Sequence, residues 1–216
     1  MKSVLISIQP KWCELIASGK KTVEVRKTRP KTYVPFKCYI YCTKPKGKND
    51  FGLCLDRGMS GNLKSIGLLF KQNYEAALNM GMDILSGKVI GEFVCDAVEH
   101  YTSNCTVFES VLLPSPEELE EMCLTLDEIN AYGTRGKLLY GWHISDLVIY
   151  DKPKELNEFF MYCGENPKCD GCEAHYYSNT ECGKEDYCCS IIDGHRPLKR
   201  PPQSWCYVEK GGESDA

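Results

Sequence analysis

Residues Ser7 to Arg26 constrain this chain more tightly than any other stretch. Pro10 suits the first turn of a helix, where its missing N–H has no intrahelical partner to lose. Apolar Trp12, Leu15 and Ile16 follow at helical spacing, and Gly19 supplies a stop. Beyond the glycine the period changes to two, so that Val23 and Val25 point one way while Thr22, Glu24 and Arg26 point the other. This predicts a strand end, a short helix and a second strand, with Lys21, Glu24 and Arg26 side by side at the mouth of a turn and the valines in the core. Lys21 stands at the strand start, where the pleat leaves its direction open, and can lean over the same cleft. An alternating Thr-Glu-Arg face is equally the pattern of a strand's wet side, with an ion pair contributing about 1 kcal/mol or less.

The chain holds 216 residues, 43% hydrophobic and 11% aromatic, enough for a sizeable core. Its net charge of -4 excludes a uniformly basic nucleic-acid coat and confines any such surface to a local stripe. The N-terminus lacks a signal-type apolar region and no window approaches the ~18 apolar residues of a membrane span, so a cytoplasmic address without membrane contact is expected. In a reducing compartment the 14 cysteines read as free thiols or metal ligands rather than disulfides.

In chain order, Val4 to Ile8 reads as a strand. Lys27, Arg29, Lys31 and Lys37, interleaved with Tyr33 and Phe36, form a basic and aromatic loop suited to phosphate contact and base stacking, or simply a solvated loop. Lys37 to Cys42 is strand-like. Residues 44–88 read as an insertion, made basic by Lys44, Lys46, Lys48, Arg57, Lys64 and Lys71, with one helix from about Tyr74 to Leu85. Val89 to Tyr101 alternates like one long curved strand. Two short helices follow, one opening at Ser115-Pro116 and one running from Thr125 to Gly133. Tyr140 to Tyr150 is a strand containing His143, Ser145 and Asp146, which cannot act as a triad because strand neighbours face opposite ways. His143 is a structural histidine or lines the cleft. Ser204 to Val208 returns as a strand, which makes residues 157–199 an excursion from a single domain spanning 1–216, with a disordered tail over 209–216.

The excursion holds the second constellation: Cys163, Cys169-Asp-Gly-Cys172, His175, Cys182, Cys188 and Cys189. A C-x-x-C turn with further thiolates on either side suits a closed tetrahedral zinc site that substitutes for a small core. An iron–sulfur cluster and free thiols are the other readings. The preferred zinc set is Cys163, Cys169 and Cys172 with one of Cys182, Cys188 or Cys189, and His175 in reserve.

The spacing G-x-K-x-x-E-x-R at Gly19, Lys21, Glu24 and Arg26 resembles the signature of the ASCH domain family, and Val89 to Tyr101 and Tyr140 to Leu156 resemble two further blocks of it in order. The resemblance implies an α+β fold: a PUA-like mixed β-barrel with flanking short helices, in a phage- or prophage-type member carrying the cysteine-rich insertion. It also implies a cleft between barrel and first helix that binds RNA, a nucleotide or a nucleoside, through Gln9, Lys11, Gly19, Arg26, Lys27, Arg29 and His143. The alternative it implies is a hydrolase acting on an N4-acetylcytidine-type nucleoside or on RNA, with Lys21 and Glu24 as the catalytic pair. The amidohydrolase pattern has a threonine nucleophile where this chain has Glu24, and its glutamate falls near Met122, beside Glu120 and Glu121. A protein-interaction role is the third reading.

Overall fold

The computed structural model describes residues 2–57, 65–102, 113–134, 137–161 and 197–210. All six candidate metal-binding cysteines and His175 lie outside these residues.

The first strand, β1 (Ser3–Ile8), leads into α1 (Pro10–Ala17) and the four-residue β2 (Val23–Arg26). Next come β3 (Phe36–Cys42), β4 (Phe51–Asp56) and β5 (Ser65–Phe70), then α2 (Tyr74–Asn79), β6 (Asp83–Ile84) and β7 (Val89–Cys95). After β8 (Val98–Thr102) the helices α3 (Pro116–Met122) and α4 (Leu126–Tyr132) precede β9 (Leu138–His143) and β10 (Ser145–Lys154). Strands β11 (Phe159–Met161) and β12 (Trp205–Lys210) complete the described chain.

The fold is α+β. Among the described residues the strands form three sheets, ordered β10-β7-β3-β1-β12-β11, β2-β9-β8 and β5-β4-β6, whose pairing does not close into a barrel. The central strand β1 runs parallel to β3 and antiparallel to β12, which rejoins the sheet as its alternating sequence predicts. Both faces of this sheet are covered, which is why β1 reads as a nearly continuous apolar run. Val4, Ile6 and Ile8 face the main core with Phe36, Cys38, Ile40 and Trp142. Leu5, Tyr39 and Tyr41 face a second cluster with Phe159, Leu198 and Val208.

Two long alternating runs each divide in two. Val89 to Tyr101 breaks at Asp96–Ala97 into β7 and β8, and the Tyr140 to Tyr150 run breaks at Ile144 into β9 and β10; each pair belongs to two different sheets. A corner where a chain changes sheet preserves the apolar alternation, so the period alone does not reveal it. The 44–88 region also departs from expectation. Its helix ends at Asn79, Gly81 turns at a φ of +81°, and the β4, β5 and β6 strands form a sheet of their own. Leu53, Leu55 and Leu85 join Cys13 and Ile16 of α1 in the main core. Both short acidic helices begin as their sequences predict, with capping boxes at Ser115/Glu118 and Thr125/Glu128.

Since Leu53 is fully buried against α1, Leu53→Ala is expected to lower unfolding free energy by about 2–5 kcal/mol, the range for leucine truncation in a core. Urea denaturation measures this, and a loss under about 1 kcal/mol would make the 44–88 sheet an appendage rather than part of the core.

Candidate functional site

Strand β2 is buried on both faces. Val23 and Val25 pack on Met122 and Ile129 of the two acidic helices, with Tyr101 and Leu139. Glu24 and Arg26 lie opposite Trp142 and Tyr140 of β9, and so face the main core. The charged face that the sequence assigns to a wet cleft is therefore internal: Lys21 is 3%, Glu24 6% and Arg26 8% exposed. Gly19 makes this possible. At a φ of +74° it reverses the chain after α1, and the amides of Lys20 and Lys21 both donate to the Leu15 carbonyl, turning Lys21 inward.

Glu24 is gripped from two sides. Its Oε2 lies 3.6 Å from Lys21 Nζ and its Oε1 lies 3.0 Å from Arg26 Nη2. The cations are themselves anchored to backbone at element ends: Lys21 donates to the Met122 carbonyl and Arg26 Nη2 to the Ser7 carbonyl at 2.7 Å. Burial pulls the Lys21 pKa below the ordinary lysine value, and the Glu24 carboxylate opposes that pull. Two buried donors find no acceptor among the described residues, Arg26 Nε and Trp142 Nε1. Aromatic rings border the cluster. The Lys21 ammonium lies 5.1 Å from the Trp12 ring centre, on whose face Lys11 also rests at 4.4 Å. Tyr132 of α4 carries Lys27 over its ring at 4.8 Å. Burial raises the Tyr132 hydroxyl's pKa, with Arg26 next lowering it and Glu24 raising it, which puts this ring within reach of both charges.

The family model of the ASCH domain matches residues 6–134, more than half of the chain, and spans β1 through α4. The chain belongs to the ASCH domain family. Among solved structures it is similar to an ASCH protein from Zymomonas mobilis, at 16% identity over 96% of this chain and 88% of that one, with a TM-score of 0.47. A tyrosine-to-phenylalanine mutant of that protein matches at 16% identity over 97% and 92%, with a TM-score of 0.48. No curated protein matches the chain. No helix among the described residues is long and apolar enough to cross a membrane.

The remaining candidates of this ASCH domain divide between rim and elsewhere. Gln9, Lys11, Lys27 and Arg29 are exposed, Gln9 as the cap residue whose carbonyl accepts from Trp12 and Cys13 amides. His143 does not join them. It pairs in register with Val23, on the face turned away from Glu24, and its Nδ1 lies 2.6 Å from Asp96 Oδ1. Of the basic and aromatic loop, Phe36 is buried on Trp142 and Lys37 pairs with Glu92 at 3.1 Å, leaving the exposed Lys27, Arg29, Lys31 and Tyr33. Glu120 and Glu121 are exposed, and it is the Met122 backbone that reaches Lys21. Three participants escape sequence reasoning: the Ser7 and Met122 carbonyls, which have no side-chain signature, and Trp142, whose place depends on the β2–β9 register. An open cavity of about 570 Å³, lined in part by Tyr41, Lys44, Glu155 and Lys199, belongs to a different part of the molecule. Among the described residues no cluster of three His, Cys, Asp or Glu side chains is arranged to hold a metal.

Removing the shared anion leaves two buried cations facing each other. Glu24→Ala is expected to cost about 3–5 kcal/mol of stability, the range for breaking a buried pair from one side. Chemical denaturation measures it; a change within 0.5 kcal/mol, the size typical of surface substitutions, would mean that the three charges are solvated in solution.

Proposed function

We propose that this ASCH domain binds RNA or a nucleotide at the recess of Lys21, Glu24 and Arg26. The observation that carries the reading is two cations bracketing one carboxylate, with the Lys21 ammonium 5.1 Å from the Trp12 ring centre. Exposed Lys11, Lys27 and Arg29 stand around it as phosphate contacts, and the aromatic rings offer stacking surface to bases. The free thiols of Cys13, Cys38, Cys42, Cys54, Cys95, Cys123 and Cys206 support a cytoplasmic setting.

Hydrolysis of a modified nucleoside or of RNA is the second reading, favoured by the depressed Lys21 pKa, since perturbed lysines mark reactive sites. Weighing against it, Glu24 occupies the position of the expected threonine nucleophile and both its oxygens are engaged by cations. Binding is the better fit. For the cysteine-rich segment we propose a structural zinc on Cys163, Cys169 and Cys172 with one of Cys182, Cys188 or Cys189. Elemental analysis of protein purified under reducing conditions should find about one zinc per chain, as four thiolates per ion require, and finding none removes the proposal.

Gel-shift titration with single-stranded RNA tests the main reading. Affinity should drop steeply between about 50 and 200 mM salt as counterions are re-imposed, and Lys27→Ala with Arg29→Ala should flatten that slope. Affinity should also fall as pH rises through the lowered Lys21 pKa, because the protonated ammonium is the binding form, and Lys21→Arg should move the fall to higher pH. Salt-independent binding, or no RNA bound at low ionic strength, would count against the reading; release of a nucleoside product lost in Lys21→Arg would transfer it to the hydrolase.

A further inference from the structure

Among the described residues three buried side-chain polar atoms have no hydrogen-bond partner, Tyr74 Oη in the 44–88 region and two donors beside Glu24. Trp142 is fully buried, yet its indole Nε1 has no acceptor among the described residues. The half-buried Trp205, 6.1 Å from Trp142 between ring centres, differs: it donates its Nε1 to Thr28 Oγ1 at 3.0 Å. Arg26 spends Nη2 on Glu24 and Ser7 while its Nε, equally buried, has no acceptor. The two donors belong to one place. Trp142 is directly opposite Glu24 in the β2–β9 register and Arg26 is two residues further along the same face, so the two are diagonal neighbours within the span of aromatic and long side chains.

The charge around them decides what that atom is. Lys21 and Arg26 carry two positive charges against the one negative charge of Glu24, in a setting where each is under a tenth exposed. The nearby thiols do not balance the excess, since burial holds Cys13 and Cys38 well above the ordinary thiol range and therefore neutral. Buried unpaired donors and an uncompensated buried cation are both unfavourable, and a single anionic oxygen relieves both at once.

We infer that Trp142 Nε1 and Arg26 Nε are a paired oxyanion-binding site, which takes a phosphate oxygen of the ligand into the interior of the recess while the base remains at the aromatic rim. This rests on the nucleotide reading of the same recess and specifies which part of the ligand enters. Both donors are shut off from solvent, so entry displaces a neighbouring side chain.

The test uses the full chain labelled with ¹⁵N, whose indole signals from Trp12, Trp142 and Trp205 are assigned by Trp→Phe substitution one at a time. Titration with inorganic phosphate, with cytidine 5′-monophosphate and with cytidine separates the sources of the acceptor. The Trp142 indole proton should move downfield with both phosphate-bearing probes and hold still with the nucleoside. Trp142→Phe should weaken monophosphate binding roughly 10- to 100-fold, the loss of one hydrogen bond to a charged acceptor, and should also lower the melting temperature of the free protein, because the smaller ring leaves space in the core. A Trp142 signal that moves equally with cytidine would make the acceptor a base carbonyl and overturn the inference. So would unaltered monophosphate affinity in Trp142→Phe, which would leave the indole a packing role alone. If Trp142→Phe does not fold, the wild-type titration decides alone. Failure here is separable from failure of the RNA reading. RNA binding with the expected salt and pH dependence and a stationary Trp142 signal removes only the oxyanion site, whereas a Trp142 response to phosphate in a protein that binds no RNA supports it and removes only the RNA reading.

Discussion

The Glu24 carboxylate is the contact on which this arrangement depends. Strand β2 is four residues long, too short to hold its place by ladder hydrogen bonds alone, yet it lies between the core and the helices α3 and α4. Glu24 ties it to Lys21 and Arg26, and these reach the last residue of α3 and the Ser7 carbonyl of β1 respectively. One carboxylate thereby links elements that the chain separates widely. Such a cluster is poor economy as stability alone, since well-packed apolar side chains of similar volume would do as well or better. Departures from an apolar interior of this kind concentrate where a protein meets its ligand.

What the sequence makes legible is whatever is decided locally. The α1 helix, its glycine reversal and the alternation of β2 all depend on neighbours a few residues away, and so do the capping boxes at Ser115 and Thr125. Convergence of Lys21, Glu24 and Arg26 follows from the same short-range geometry. The depth of the three does not. Alternation normally marks one wet face, and only the packing of β9 and Trp142 on one side of β2, with α3 and α4 on the other, makes both faces dry. The face of His143 is likewise set by its register with Val23, which no local pattern encodes.

The 44–88 region illustrates a different blindness. Phe51 to Asp56 and Ser65 to Phe70 are short runs separated by glycine and lysine, and their strand character is weak until they pair with each other and with Asp83–Ile84. Gly52 gives no side chain on β4 because the Tyr74 ring end fills the space where a Cβ would be, 1.3 Å from the hydroxyl oxygen. Composition registers that glycine as loop-like, although it is there to let a helix approach a strand. The basic residues that gave this region the look of a nucleic-acid surface are partly committed within the fold, Arg57 to Asp83 at 2.6 Å and Lys71 to the Pro45 carbonyl at 3.2 Å.

Charge placement around the recess sets a direction for any polyanion. On one side stand exposed Lys11, Lys27 and Arg29; on the other, α3 and α4 present Glu117, Glu120, Glu121, Asp127 and Glu128 to solvent. Glu117, Asp127 and Glu128 serve the helices first, in the first turns beside the helix N-termini, whereas Glu120 and Glu121 lie at the far end of α3. They also make the approach across α3 repulsive to phosphate, while Lys11, whose charge is felt by Glu128, marks the boundary between the two fields. A phosphate chain bound as proposed would be drawn toward exposed Lys11 and Lys27 and repelled from the acidic helices. In a protein of net charge -4 this asymmetry confines any attraction for polyanions to a local basic stripe.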